Sequence, residues 1–183
     1  MILWFTEEEI FKKVLINLLL VLSLNYNFCQ EVYEKLFNKD YTEEAITVCS
    51  LLVEDAKQQQ LDVAITLATA WEESRFTPQS KPTKFKCFGP LQIKYQYWCP
   101  NEKGEISVVK ADGLVSKCDP YFHGVRALKY YVKKFKPLTK ALCYYNNSKK
   151  CKKTYKSGYV KGVLKHLNKI KKIMAKNKYK PLR

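Results

Sequence analysis

The sequence predicts a compact, mainly α-helical domain whose irregular middle leaves room for a small hairpin. Three observations carry this. Apolar residues recur at three- and four-residue intervals on both sides of the middle, which places them on one face of a helix. Those stretches open on Thr42, Asp62 and Asp119, residue types whose side chains cap a helix start. The long apolar/polar alternation of a half-buried strand is missing.

Thr42, followed by Glu43 and Glu44, predicts a helix start with acids in its first turn, and Ile46, Cys49, Leu52 and Val53 supply the apolar stripe. Asp62 caps a second helix through Val63, Leu67, Ala70 and Trp71, ended by Phe76-Thr77-Pro78. From Gln79 to Val115 the chain carries Pro82, Gly89, Pro90, Pro100, Gly104 and Gly113, a composition of loops and short elements. Asp119-Pro120 pairs a capping acid with a proline at the first helical position. Val125, Leu128, Val132 and Phe135 then follow at helical spacing until Pro137. A short helix is expected around Leu138 to Tyr144. The last helix carries Val160, Val163, Leu164, Leu167, Ile170 and Met174 on one face and lysines on the other.

The 183 residues suit one domain with appendages, and a hydrophobic content of 46% is enough for a core. A net charge of +16 points to an anionic partner: nucleic acid, membrane surface or cell wall. The basic residues concentrate after Lys129 and are nearly all lysine. Lysine acts as a point charge, whereas planar recognition of bases and phosphates favours arginine. Specific nucleic-acid binding is therefore not expected; loose backbone binding or a merely solvated lysine face stays open.

The seven cysteines are Cys29, Cys49, Cys87, Cys99, Cys118, Cys143 and Cys151. None has C-x-x-C spacing, and His123 and His166 are isolated, so no metal site is expected. If Cys29 leaves with a signal segment, six remain, an even number that suits oxidation outside the cytoplasm; reduced thiols are the alternative. Cys143 and Cys151 bracket a short loop and are the first candidate pair. At the start, Lys12 and Lys13 precede an apolar run from Val14 to Leu24, short for a membrane span but suited to a signal-peptide core. Glu7 to Glu9, and the lack of a small-x-small site in 25–30, instead suit an uncleaved anchor, a misassigned start or a buried helix.

The segment from Ala70 to Pro78 carries the chemistry. Glu73 falls in the last turn of an apolar helix, at the edge of a core, where partial loss of water raises a carboxyl pKa. A carboxyl that stays protonated near neutral pH can donate to a glycosidic oxygen. A surface glutamate is the plain alternative. Glu72 is about 100° away around the helix, so the two cannot both face a cleft.

Glu73-Ser74-Arg75-Phe76-Thr77-Pro78 resembles the first motif of the soluble lytic transglycosylase family and its goose-type lysozyme relatives. Gly89-Pro90-Leu91-Gln92-Ile93 looks like the family's Gly-Leu-Met-Gln segment, and Asp119-Pro120 before an amphipathic helix its third block. Ala141-Leu142-Cys143-Tyr144-Tyr145-Asn146 resembles its Ala-x-x-x-Tyr-Asn motif, and Tyr159-Val160-Lys161-Gly162-Val163 the start of its last helix. The resemblance covers roughly Thr42 to Met174. It implies an α+β lysozyme-like fold with a substrate groove over residues 40–176, preceded by a signal-like or membrane-anchoring segment over 1–30 and followed by a basic tail over 177–183.

By this resemblance Glu73 is the single catalytic acid and Ser74 helps orient the site. Gln92 contacts sugar across the groove, Tyr145 and Asn146 line the cleft, and Tyr159 packs or hydrogen-bonds beside the acid. Ordinary core tyrosines and a loop-capping Gln92 amide are the alternatives. The implied activity is cleavage of the MurNAc-GlcNAc bond of peptidoglycan with a 1,6-anhydro product, by an exported or envelope-associated monomer without a cofactor. Hydrolysis, or a non-catalytic basic protein on the same fold, is the alternative. Departures fall at Leu91, where the family has Met, at residues 81–88, where a substrate-contacting serine is lost and Thr83 is only a possible substitute, and at Asn147, which tolerates left-handed backbone, where the family usually has Gly. A second carboxylate would have to be Asp112 or Asp119.

Overall fold

The computed structural model describes residues 23–36, 42–78, 87–99, 118–147, 151 and 157–177. The fold is mainly helical. Helix α1 is described over residues 23–36. It is followed by α2 (Glu43–Gln58), α3 (Val63–Ser74), strands β1 (Cys87–Phe88) and β2 (Ile93–Lys94), the single-turn α4 (Tyr95–Trp98), α5 (Pro120–Lys134), α6 (Leu138–Asn147) and α7 (Gly158–Lys176). The expected hairpin is the antiparallel β1–β2 pair, with Cys87 opposite Lys94 and Phe88 opposite Ile93.

The helix starts follow from local chemistry. Thr42 Oγ1 accepts from the Ala45 amide, Asp62 from those of Ala64 and Ile65, and Asp119 from those of Tyr121 and Phe122. Each bond satisfies amides that the first turn leaves without a helical acceptor. Ser157 does the same for Val160 at the start of α7. The α6 helix runs on beyond Tyr144 to Asn147. Asn147 therefore closes the helix as a helical residue and not as a left-handed substitute for glycine.

Helix α3 lies against α2 on one side and α7 on the other, while α5 packs on α2, α6 and β2. Leu67, Ala68 and Ala70 of α3 and Val163 and Ile170 of α7 are fully buried at this centre. The core reaches upstream of residue 40: Phe28, Cys29 and Val32 are buried. Buried Asn25 donates to Glu54 and accepts from Lys57 of α2. Residues 1–22, with most of the apolar run proposed as a signal core, lie outside the described residues, as do 178–183 of the basic tail.

Disulfides join Cys29 to Cys49, Cys99 to Cys118 and Cys143 to Cys151. The expectation that Cys29 is the odd cysteine is corrected: Cys29 ties α1 to α2, and Cys87 stands in none of the three bridges. The reason is that residues 23–36 form an integral helix with a buried face, so Cys29 meets Cys49 in the core. Three bridges suit an oxidising compartment. Among the described residues, no helix is long and apolar enough to cross a membrane.

Candidate active site

Glu73 lies in the last turn of α3, where the helix is stopped abruptly. Arg75 and Phe76 both take left-handed backbone, with φ of 59° and 60°, at a cost of about 1–3 kcal/mol for each such non-glycine residue. Tertiary contacts hold them there. Phe76 is fully buried, edge-on to Trp71 at 5.6 Å. The Arg75 guanidinium donates to the Trp71 carbonyl at 2.8 Å and covers the Trp71 ring at 4.7 Å. The chain thus turns away one residue after Ser74 and leaves Glu73 at the rim of the core.

The first turn of α7 meets Glu73 there. The Tyr159 hydroxyl donates to Glu73 Oε1 at 2.6 Å. Burial pushes the Glu73 carboxyl up to about 7. The Tyr159 bond opposes that rise by favouring the ionised form, and the Glu72 charge adds to it. Tyr145 and Tyr159 are both pushed well above the ordinary phenol range, by burial first and then by the Glu73 charge, so both remain hydroxyl donors. The Tyr145 hydroxyl donates to the Leu91 carbonyl at 2.7 Å.

That bond fixes the hairpin turn over the site. Gly89 has φ of +75°, and a Cβ there would stand 2.5 Å from Pro120 Cβ. Leu91 packs on Gly124 of α5, where an added Cβ would meet its Cδ1 at 3.0 Å. Glycine is thus required at Gly89 for both backbone conformation and close approach, and the turn is clamped against α5.

Glu72 turns to a neighbouring face of α3. Its Oε2 lies 3.4 Å from Arg75 Nη1 and 3.4 Å from His166 Nε2. It also fills the space above Gly162 of α7, where a Cβ would stand 2.5 Å from Oε1. Of the two adjacent acids, Glu73 is the one hydrogen-bonded to Tyr159.

The remaining expected site residues are placed less directly. Ser74 Oγ donates back to the Ala70 carbonyl at 3.2 Å, within its own helix. Gln92 has left-handed backbone, φ 48°, and its Nε2 donates to the Gly89 carbonyl at 2.8 Å. Its amide thus caps the loop, one of the two roles the sequence allows. Asn146 is exposed on α6. Asp119 is occupied with capping α5, and its charge acts on Asp55, Tyr121 and His123. Thr83 and Asp112 lie outside the described residues.

Two features escaped sequence reasoning. Cys87 of β1 borders the acid: its thiol is pushed up by burial first, Lys94 opposes that, and the Glu73 charge adds to it. An aromatic band also runs away from Tyr145. Its members are spread over α4, α5 and α6, and only their helical spacing within α5 and α6 hinted at a shared face. Among the described residues, no group of His, Cys, Asp and Glu could hold a metal ion.

No family model, curated protein or solved structure matches this chain.

Proposed function

We propose that this chain cleaves the glycan of peptidoglycan as a lytic transglycosylase on a lysozyme-like fold, with Glu73 as its acid. The observation that carries the proposal is the Glu73 carboxyl itself, raised to about 7 and held by the Tyr159 hydroxyl at 2.6 Å. A group so placed is substantially protonated near neutral pH and can deliver that proton to a leaving oxygen. The order of sequence motifs supports the same family. The three disulfides support export to an oxidising envelope or extracellular setting.

In this reading Glu73 protonates the glycosidic oxygen as the C1–O bond breaks. The ionised carboxylate then takes the proton of the muramoyl 6-hydroxyl, whose oxygen bonds to C1 and closes the anhydro ring. The N-acetyl group of the sugar shields the cationic intermediate. One carboxyl serves both proton transfers, and no water is consumed. The single-acid reading is supported by the surroundings: among the described residues, the one carboxylate acting on Glu73 is Glu72, which is engaged with Arg75 and His166. Hydrolysis normally asks for a second, suitably spaced carboxylate. The test is wall lysis by two variants. Glu73→Gln should lose about 10²–10⁴-fold in rate, and Glu72→Gln should lose far less. The reverse pattern would remove the assignment.

A further inference from the structure

The proposed cleavage makes no use of the aromatic band. Trp98 of α4 meets Tyr130 of α5 edge-on at 5.5 Å and Tyr131 at 6.1 Å. Tyr130 and Tyr131 contact each other at 5.4 Å. Tyr131 stacks toward Phe135 at 6.0 Å, and Phe135 stacks on Tyr144 of α6 at 4.3 Å. Tyr131 also meets Tyr145 edge-on at 5.6 Å, and Tyr145 holds the turn beside Glu73. The band is therefore continuous with the candidate active site. Its outer members stay accessible: Tyr130 is 44% exposed, and Trp98 and Tyr131 are partly so.

We propose that this band is a glycan-stacking track that carries the strand away from Glu73, so that the chain acts best on strands several sugars long. The inference rests on the glycan-cleaving reading above. A pyranose ring has apolar C–H faces and a rim of hydroxyls. Flat aromatic faces cover the former, and phenol or indole donors at their edges meet the latter. The more accessible members of the band, Tyr130, Tyr131 and Trp98, carry such edge donors. Lysine beside exposed rings also suits a single-stranded nucleic acid. Lys134 is such a lysine, hydrogen-bonded to the Tyr130 hydroxyl at the edge of the ring, and a thymidine oligonucleotide tests that reading. Continuity with a protonated carboxyl favours the sugar chain.

The test uses the full chain carrying Glu73→Gln, which leaves ligand uncleaved, and calorimetric titration with N-acetylglucosamine hexamer and dimer. Adding Tyr130→Ala or Trp98→Ala should weaken hexamer binding roughly three- to tenfold for each ring removed. Trp98→Phe should keep most of the affinity, and dimer binding should change little. Because Tyr130 is exposed, its variant should fold, and thermal unfolding checks this. Equal hexamer affinity in the alanine variants, or parallel loss for hexamer and dimer, would overturn the track. So would a thymidine oligonucleotide that binds through the same two rings in preference to the hexamer. Wall lysis separates the two proposals. Lysis with band-independent hexamer binding sinks the track alone, and band-dependent hexamer binding without lysis sinks the enzymatic reading alone.

Discussion

Replacing Glu73 by Gln is expected to abolish lysis and, at the same time, to stabilise the fold at neutral and alkaline pH. The carboxyl rises from an ordinary value of 4.5 to about 7 in the folded chain, chiefly through burial. Below the lower value it is protonated in folded and unfolded chains alike and contributes nothing to the difference. Between the two values the unfolded chain has released the proton and the folded chain still holds it, so stability falls as pH rises. Above about 7 the loss is complete. At about 1.4 kcal/mol per pH unit the full loss is about 3 kcal/mol. This is an upper figure, because water reaching the partly exposed residue screens the charge. Glutamine keeps the Oε1 acceptor for Tyr159 and carries no charge. Thermal unfolding of the variant and the parent should therefore coincide near pH 4. By pH 8 they should separate, with the variant higher by up to roughly 6–12 °C for a domain of this size. A difference independent of pH, or a variant less stable at pH 8, would refute the reasoning that burial holds this carboxyl protonated.

Three further outcomes are expected. Gly89→Ala should cost roughly 1–3 kcal/mol, seen as a lower unfolding midpoint, because φ is +75° and the new Cβ meets Pro120 at 2.5 Å. Cys29→Ala, which opens a bridge with a sequence separation of 20, should lose about 3 kcal/mol of stability. Lys165, Lys169 and Lys172 are exposed on α7, away from its buried face. Reversing these three to Glu should weaken attachment to intact walls at low salt and leave cleavage of short soluble glycans nearly unchanged. That attachment should fade as the Debye length shrinks from about 10 Å at 0.1 M to about 3 Å at 1 M salt; equal loss of both activities in a folded variant would place these lysines in the substrate site.

What was legible in the sequence was local. Thr42, Asp62 and Asp119 cap helices through amides two or three residues away, so neighbouring residues sufficed to read them. The apolar face of α7 was equally plain, since Val160, Val163, Leu167, Ile170 and Met174 are buried as their spacing asks. The meeting of Glu73 with Tyr159 spans 86 residues, and no periodicity contains it; the order of motifs suggested it. Gln92 was open between sugar contact and loop capping because its role depends on a positive φ that the sequence does not announce. Cys29 was misread because an apolar run leading into it suggested a segment to be removed, whereas a helical face there packs into the core. The aromatic band depended on how α4, α5 and α6 come together, which residue spacing within any one helix does not fix.

Whether Glu73 alone performs both proton transfers can be read from the mass of the fragments released from purified peptidoglycan. Muramoyl ends lighter by one water than hydrolytic ends are expected from the wild-type chain and should be missing with Glu73→Gln. Ends carrying the full mass of a hydrolysed product would contradict the single-carboxyl route, and release undiminished in Glu73→Gln would contradict the assignment of the acid itself.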